Sequence, residues 1–330
     1  MPVPGKQNLI TDVDGILVGN ATDETLCSGV TVIRCDGRPV AAADVRGGAP
    51  GVREIETLNS ENLIGACDAI VLSGGSVFGL GAADGVVSSL SASGIGVQLR
   101  DTGPSAPIVP AAVLFDLHNE GNKNWGDMPP YRALGIEACK NARQEFELGP
   151  VGAGRGAMAG TEKGGLGSAS IVLPDSGITV GAIVAVNPVG SVYMPDGKTF
   201  YAKPWELNDE FGGNPMTPQS DVAAPFPPHS RLGATSRPGE NTVIAVVATD
   251  APLTNPEAKR VAMMAHDGIA RAVRPAHTPF DGDVVFAIST AKKPDTLGLG
   301  PLRGLSLSQI GGAAADCLAR AIARGVFAAR

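Results

Sequence analysis

The sequence predicts a four-layer αββα sandwich, two β-sheets packed face to face with helices outside. Strand-like apolar runs arrive in adjacent pairs between long helical segments, an order that simple βαβ alternation does not produce. Composition points the same way. Hydrophobic residues make up 43% of the chain and aromatics only 4%, so the core is built from Ala, Val, Leu and Ile. Such a core favours close packing of sheets and helices over an aromatic ligand cage. The 44 Gly and 26 Pro supply many tight turns.

The elements follow in order. Val30 to Arg34 and Val40 to Val45 are two short strands around the turn Cys35-Asp36-Gly37-Arg38-Pro39. Ala66 to Leu72 is an apolar strand that runs into Ser73-Gly74-Gly75-Ser76 and then an Ala- and Gly-rich helix from Val77 to Ala92. Val109 to Asp116 is a further buried strand, and Tyr131 to Gln144 a helix, with Leu134, Ala138 and Ala142 at helical spacing. A Gly-rich segment at 152–167 precedes the strands Ser168 to Leu173 and Ile178 to Val186. Beyond a Pro-, Gly- and Ser-rich stretch from Gly212 to Gly239 comes the strand Val243 to Thr249. Pro256 to Ala272 is a helix with Pro in its first turn and one apolar face. The strand Val284 to Thr290 and an Ala-rich helix from Leu307 to Ala329 complete the chain. No internal repeat is evident, and the 330 residues are read as one domain.

The bounds on function are mostly exclusions. The net charge is −7 with no Lys/Arg stripe, which argues against nucleic acid as a partner. Met1-Pro2-Val3-Pro4-Gly5-Lys6 lacks an apolar stretch of signal-peptide length, and no uninterrupted run is long enough to span a membrane. Cys27, Cys35, Cys67, Cys139 and Cys317 are scattered singly, with no CxxC, so buried free thiols in a cytoplasmic protein are expected. His118, His229, His266 and His277 lack metal-ligand spacing, and neither a metal nor a cofactor is expected.

Four places could carry chemistry. Thr242 stands at the mouth of a buried strand after the Pro/Gly-rich stretch. A backbone cut between Asn241 and Thr242 would create an N-terminal Thr whose α-amine, with a pKa near 8, can serve as base for its own hydroxyl. The same window also suits a strand that merely follows a loop. The 152–167 segment fails as a phosphate loop, because Lys163 is followed by Gly164-Gly165 and a strand follows it. Lys163 is there either a solvated loop lysine or a cation near reactive groups. Asn187, before Pro188, is a turn residue or an amide donor to an oxyanion. Asp281-Gly282-Asp283 is turn chemistry or a carboxylate pair with divergent pKa values. Gly74-Gly75-Ser76 is no nucleophile elbow, which wants Gly-x-Ser-x-Gly.

Several blocks in order make a more specific signal. They are Ile10-Thr11-Asp12-Val13-Asp14-Gly15-Ile16, Asp44-Val45-Arg46-Gly47-Gly48-Ala49-Pro50-Gly51, Leu72-Ser73-Gly74-Gly75-Ser76-Val77-Phe78-Gly79-Leu80, Lys163-Gly164-Gly165-Leu166-Gly167, Ala185-Val186-Asn187-Pro188, Asn241-Thr242 and His277-Thr278-Pro279-Phe280-Asp281-Gly282-Asp283. Over nearly the whole chain this resembles the DmpA-like L-aminopeptidase/D-esterase family, which includes β-peptidyl aminopeptidases and nylon-oligomer hydrolases. The resemblance implies an αββα fold of the N-terminal-nucleophile type and self-cleavage into residues 1–241 and 242–330. It implies Thr242 as nucleophile, Asn187 as oxyanion amide, Lys163 near the nucleophile, Asp281 and Asp283 as the acidic pair, and Tyr131 as an active-site tyrosine. It also implies a peptide or oligoamide substrate and a homo-oligomer, a tetramer. Arg155 stands where a smaller residue is expected, which bears on pocket shape. Two other classes stay open: an acyltransferase related to ornithine acetyltransferase, and a binding protein that never matures.

Overall fold

A computed structural model describes residues 3–216, 227–232 and 241–330. Two five-stranded sheets form its centre. The first has the order β1 (Ile16–Asp23), β2 (Ser28–Cys35), β5 (Ala69–Ser73), β6 (Ala111–Val113), β4 (Gly51–Arg53). The second has the order β3 (Val40–Val45), β12 (Val284–Ser289), β11 (Thr242–Thr249), β10 (Thr179–Asn187), β9 (Gly165–Val172). Helices α1 (Gly81–Ala92) and α2 (Tyr131–Lys140) cover the first sheet, and α3 (Asn255–Ala272) and α4 (Pro301–Phe327) the second. The short β7 (Met158–Ala159) and β8 (Glu162–Lys163) make a separate ribbon. The four-layer sandwich expected from the sequence is therefore present.

Period-two alternation explains the layers. Val30, Val32 and Val71 pack against α1 and α2 with Leu90 and Leu134. The neighbouring Ile33, Ile70 and Leu72 point the other way and meet Ile183, Val246 and Phe286 of the second sheet. Val184, Val247 and Val285 face α3 and α4, against Ile269, Leu318 and Ile322. Strands buried on both faces read as continuous apolar runs, as β10 and β11 do. Gly85 and Gly135 let α1 and α2 touch: a Cβ at either would lie 2.1 or 2.2 Å from a carbonyl oxygen of the other helix.

Some elements differ from expectation. The turn after Cys35 does not close a hairpin; it carries the chain from the first sheet to the second. The segment from Val77 begins as a 3₁₀ turn over Ser76–Leu80 before α1 starts. The strand expected from Val109 to Asp116 shrinks to Ala111–Val113, since Pro110 has no N–H for a ladder. α2 stops at Lys140 because Arg143 turns to exchange backbone bonds with Val18. β1 and β4 have no counterpart in the sequence reading. In β1, Gly19 interrupts the apolar pattern because the Ala138 carbonyl would lie 2.0 Å from a Cβ there. All five cysteines are free and buried. Among the described residues no helix is long and apolar enough to cross a membrane.

Candidate active site

β10 and β11 run antiparallel, and their last register pair is Asn187 with Thr242. β12 runs parallel to β11 with Ile244 opposite Val284, which brings the 281–283 turn beside residues 241–243. Four of the six site residues named from sequence thus meet at one end of the second sheet. All four are buried: Thr242, Asn187, Asp281 and Asp283. Most of the 212–239 approach to Thr242 lies outside the described residues.

The carbonyl of Asn241 is the focus of the geometry. Its oxygen accepts the Thr242 hydroxyl and also the Gly282 N–H, at 2.9 Å. A side chain at 282 would crowd this point, since a Cβ there would sit 2.9 Å from the Thr242 Oγ1. The nucleophile candidate, the carbonyl it would attack and one N–H donor to that carbonyl are therefore together. The Gly282 N–H, which has no signal of its own in the sequence, is the second donor to that carbonyl.

The two carboxylates serve the backbone around that point. Asp283 accepts the Val243 N–H on Oδ1 at 2.8 Å. Its Oδ2 accepts the His277 backbone N–H at 3.1 Å and pairs with the His277 Nδ1 at 2.7 Å. Asp281 accepts Val189 N–H on Oδ1 at 3.1 Å, and on Oδ2 the Thr278 N–H and hydroxyl at 2.9 and 2.6 Å. Burial, and then the charge of Asp283, push the Asp281 pKa up, against the pull of these bonds. His266 stacks edge-on against His277 with ring centroids 4.9 Å apart, and burial pushes its pKa down to about 4. His277 sits in the left-handed region at φ 55°, as does Ser76 at φ 52°. Non-glycine residues held there mark strain that the surroundings must enforce. Sequence reasoning set all the histidines aside; only the tertiary contact with Asp283 distinguishes His277.

Asn187 has both ends of its amide engaged. Oδ1 accepts the Met158 N–H at 2.8 Å, and Nδ2 donates to the Phe115 carbonyl at 3.1 Å. These bonds fix which atom faces Phe115. Arg231, missed from sequence, donates to the Met158, Asn187 and Pro188 carbonyls at 3.0, 3.1 and 3.0 Å and staples this corner. A cavity of about 400 Å³ opens at Thr242, walled by Phe115, Pro50, Val52, Ser76 and Val77 among others.

The other two named residues sit in adjoining clusters. Tyr131 is buried; its hydroxyl donates to the Ser28 Oγ at 3.2 Å, and Ser28 donates to Asp116 at 2.6 Å. Asp116 also accepts the Gly75 N–H at 2.8 Å, so this cluster braces the turn that presents Ser76 to the cavity. Burial raises the pKa of both Tyr131 and Asp116. Lys163 is exposed on β8 and lines a second cavity of about 290 Å³ with Arg155 and His118. Its tie to the site runs through the backbone: its ladder partner Met158 is the residue bonded to Asn187. Arg155 is held by Glu24 at 2.7 Å and donates to the Cys27 Sγ at 3.0 Å.

The model of peptidase family S58 matches residues 8–330. An uncharacterised aminopeptidase of Mycobacterium tuberculosis (strain ATCC 25618 / H37Rv) is 43% identical over 339 residues, covering 98% of this chain and 94% of that protein. A 6-aminohexanoate-oligomer endohydrolase of Kocuria sp. (strain KY2) is 31% identical over 294 residues, covering 87% of this chain and 76% of that protein. The L-aminopeptidase D-Ala-esterase/amidase of Ochrobactrum anthropi, a variant of the Ntn hydrolase fold, superposes with a TM-score of 0.66 at 23% identity, over 100% of this chain and 88% of that one. That last likeness is one of fold. The chain belongs to peptidase family S58.

Proposed function

We propose that this chain is an autoprocessed N-terminal-threonine amidohydrolase, acting on short peptides, amino-acid amides or related oligoamides. The observation that carries the reading is the Asn241 carbonyl, whose oxygen takes hydrogen bonds from both the Thr242 hydroxyl and the Gly282 N–H. In maturation the Thr242 Oγ1 attacks the Asn241 carbonyl carbon, and the Gly282 N–H holds the developing oxyanion. The C–N bond between Asn241 and Thr242 breaks as the nitrogen gains a proton, leaving an ester. Water cleaves the ester to an Asn241 carboxylate and a Thr242 with a free α-amine.

That amine then takes the proton from the Thr242 hydroxyl as it attacks a substrate amide. The leaving amine departs protonated, and water releases the acid from the acyl-enzyme. Asn187, opposite Thr242 in the register, is the second oxyanion donor, its Nδ2 exchanging the Phe115 carbonyl for the oxyanion. Asp283 fixes the backbone at Val243, next to the nucleophile, and Asp281 fixes the 278–281 turn. Lys163 is tied to the site through the backbone of Met158, which bonds Asn187, and Tyr131 braces the cavity wall. The names of the relatives support the amide substrate class, an aminopeptidase in one case and a 6-aminohexanoate-oligomer hydrolase in another. The five buried free thiols support a cytoplasmic setting, and the family resemblance a tetramer.

Mass spectrometry of the purified protein tests the reading. The expected result is two fragments, 1–241 and 242–330, that together hydrolyse amino-acid amides or 6-aminohexanoate oligomers. An intact chain with full hydrolase activity overturns it. Faster acyl transfer to an added amino acid than to water would point to the acyltransferase class instead.

A further inference from the structure

His277 touches the acid pair directly, and the mechanism above gives it no part. Both Asp283 oxygens accept backbone N–H groups, Val243 on Oδ1 at 2.8 Å and His277 on Oδ2 at 3.1 Å. The carboxylate is therefore the acceptor, and the His277 Nδ1, 2.7 Å from the same Oδ2, is the donor. The local backbone brings the ring there. His277 is held at φ 55°, and its neighbour Thr278 gives its N–H and hydroxyl to Asp281. Residues 277 and 278 thus hold one acid each.

The rest of Asp283 is pinned from the opposite side. Its carbonyl accepts the Arg46 and Gly47 N–H groups at 3.0 and 3.3 Å, and a Cβ at Gly47 would lie 2.2 Å from its nitrogen. With the backbone fixed, the remaining freedom is rotation of the carboxylate. Its two oxygens turn as one plate, so the ring bond on Oδ2 sets where Oδ1 meets Val243, the residue after Thr242. His266 does not take this part. Its Nε2 is engaged with the Asp44 carbonyl at 3.1 Å, and it meets His277 only ring to ring.

We infer that His277 is a positioning residue of the self-cleavage and hydrolysis proposed above: its Nδ1–H locks the Asp283 carboxylate, which holds Val243 and with it the Thr242 hydroxyl in line with the carbonyl under attack. The inference rests on that reading.

Two variants of one shape test it. Asn and Asp both accept a left-handed backbone at 277. An Asn amide nitrogen can stand where Nδ1 stands, whereas Asp offers only acceptors to Asp283. The His277 side chain is 21% exposed, so His277→Asp can hydrate its charge and fold. His277→Asn should mature and turn over an amino-acid amide within a few-fold of the wild type. His277→Asp, folded by circular dichroism, should mature at least about tenfold more slowly. Once processed, its kcat should fall on the order of 10- to 100-fold with KM within a few-fold, as expected when a nucleophile is misplaced without loss of binding. A purely structural role would lower the melting temperature of both variants and leave kcat of the processed enzymes alike. Equal maturation and kcat in the two variants, whether both high or both low, overturn the inference. If His277→Asp does not fold, His277→Gly, which keeps the backbone freedom and removes the donor, takes its place with the same expectation. A wild type that is cut and active but indifferent to position 277 leaves the hydrolase reading standing. A wild type neither cut nor active brings down that reading and this inference together.

Discussion

The two sheets look alike in section but are assembled differently. Every strand of the first, from β1 to β6, comes from residues before 114. The second is stitched from both sides of the Asn241–Thr242 bond: β3, β9 and β10 precede it, and β11 and β12 follow it. β11 is bonded to β10 on one side and β12 to β3 on the other. A cut at Asn241 therefore severs no ladder and leaves residues 242–330 held by strands and by α3 and α4. The candidate site lies at the open end of the stitched sheet, while the continuous sheet contributes a wall and its bracing. The proposed self-cleavage would fall where the fold does not depend on the bond that is cut.

The largest effect expected from this division is that of Thr242→Ala. It should leave one uncut chain and lower amide hydrolysis by about 1000-fold or more, since nucleophile and base are lost together. SDS gels and turnover with an amide substrate read both. A cut Thr242→Ala chain would remove the stitched sheet's special status. Next, Asn187→Ala on correctly processed protein should cost on the order of 100- to 1000-fold in turnover, the usual weight of one oxyanion donor. Wild-type turnover would leave Gly282 N–H as the donor that matters.

Two buried carboxylates, one per sheet, sharpen the contrast. Asp283 holds three donors around Thr242, and Asp116 holds Ser28 and Gly75 behind the wall. Asp283→Asn should block or slow maturation and lower stability by roughly 1–3 kcal/mol, because an amide cannot accept on both sides. Asp116→Asn should cost a similar amount of stability yet still mature, since its bonds hold Ser28 and the Gly75 turn and not the backbone beside Thr242. Equal maturation of the two variants, followed by mass spectrometry over time, would erase the distinction.

The last expected effect touches stability alone and depends on pH. His266 has its pKa pushed from 6.5 down to about 4 by burial. Between those values the unfolded chain takes up a proton that the folded chain refuses, so stability falls as pH drops through that window. The loss should approach about 3 kcal/mol by pH 4. Urea midpoints at pH 7 and pH 5 should converge in His266→Gln; an unchanged slope would assign the acid sensitivity to other groups.

The sequence by itself determined the layers. Apolar runs such as Val243 to Thr249 and Val284 to Thr290 can only be strands buried on both faces, and Pro256 to Ala272 and the Ala-rich C-terminal segment only helices laid against them, because periodicity and burial are local properties of the chain. It also marked Thr242, Asn187, Asp281 and Asp283, since a strand mouth, an Asn before Pro and a spaced acid pair are visible in order. Tertiary structure alone decided which of these meet. The parallel pairing of β11 with β12 sets the Gly282 N–H on the Asn241 carbonyl, and the register of β10 sets Asn187 opposite Thr242. His277, Asp116 and Arg231 gained roles only there, because each acts through a partner with no sequence signal of its own: Asp283, the Gly75 turn, and three carbonyls at the β10 corner. β1 escaped notice for the same reason. Its Gly19 answers to the Ala138 carbonyl of a helix more than a hundred residues away, and a constraint across that separation leaves no local pattern to read.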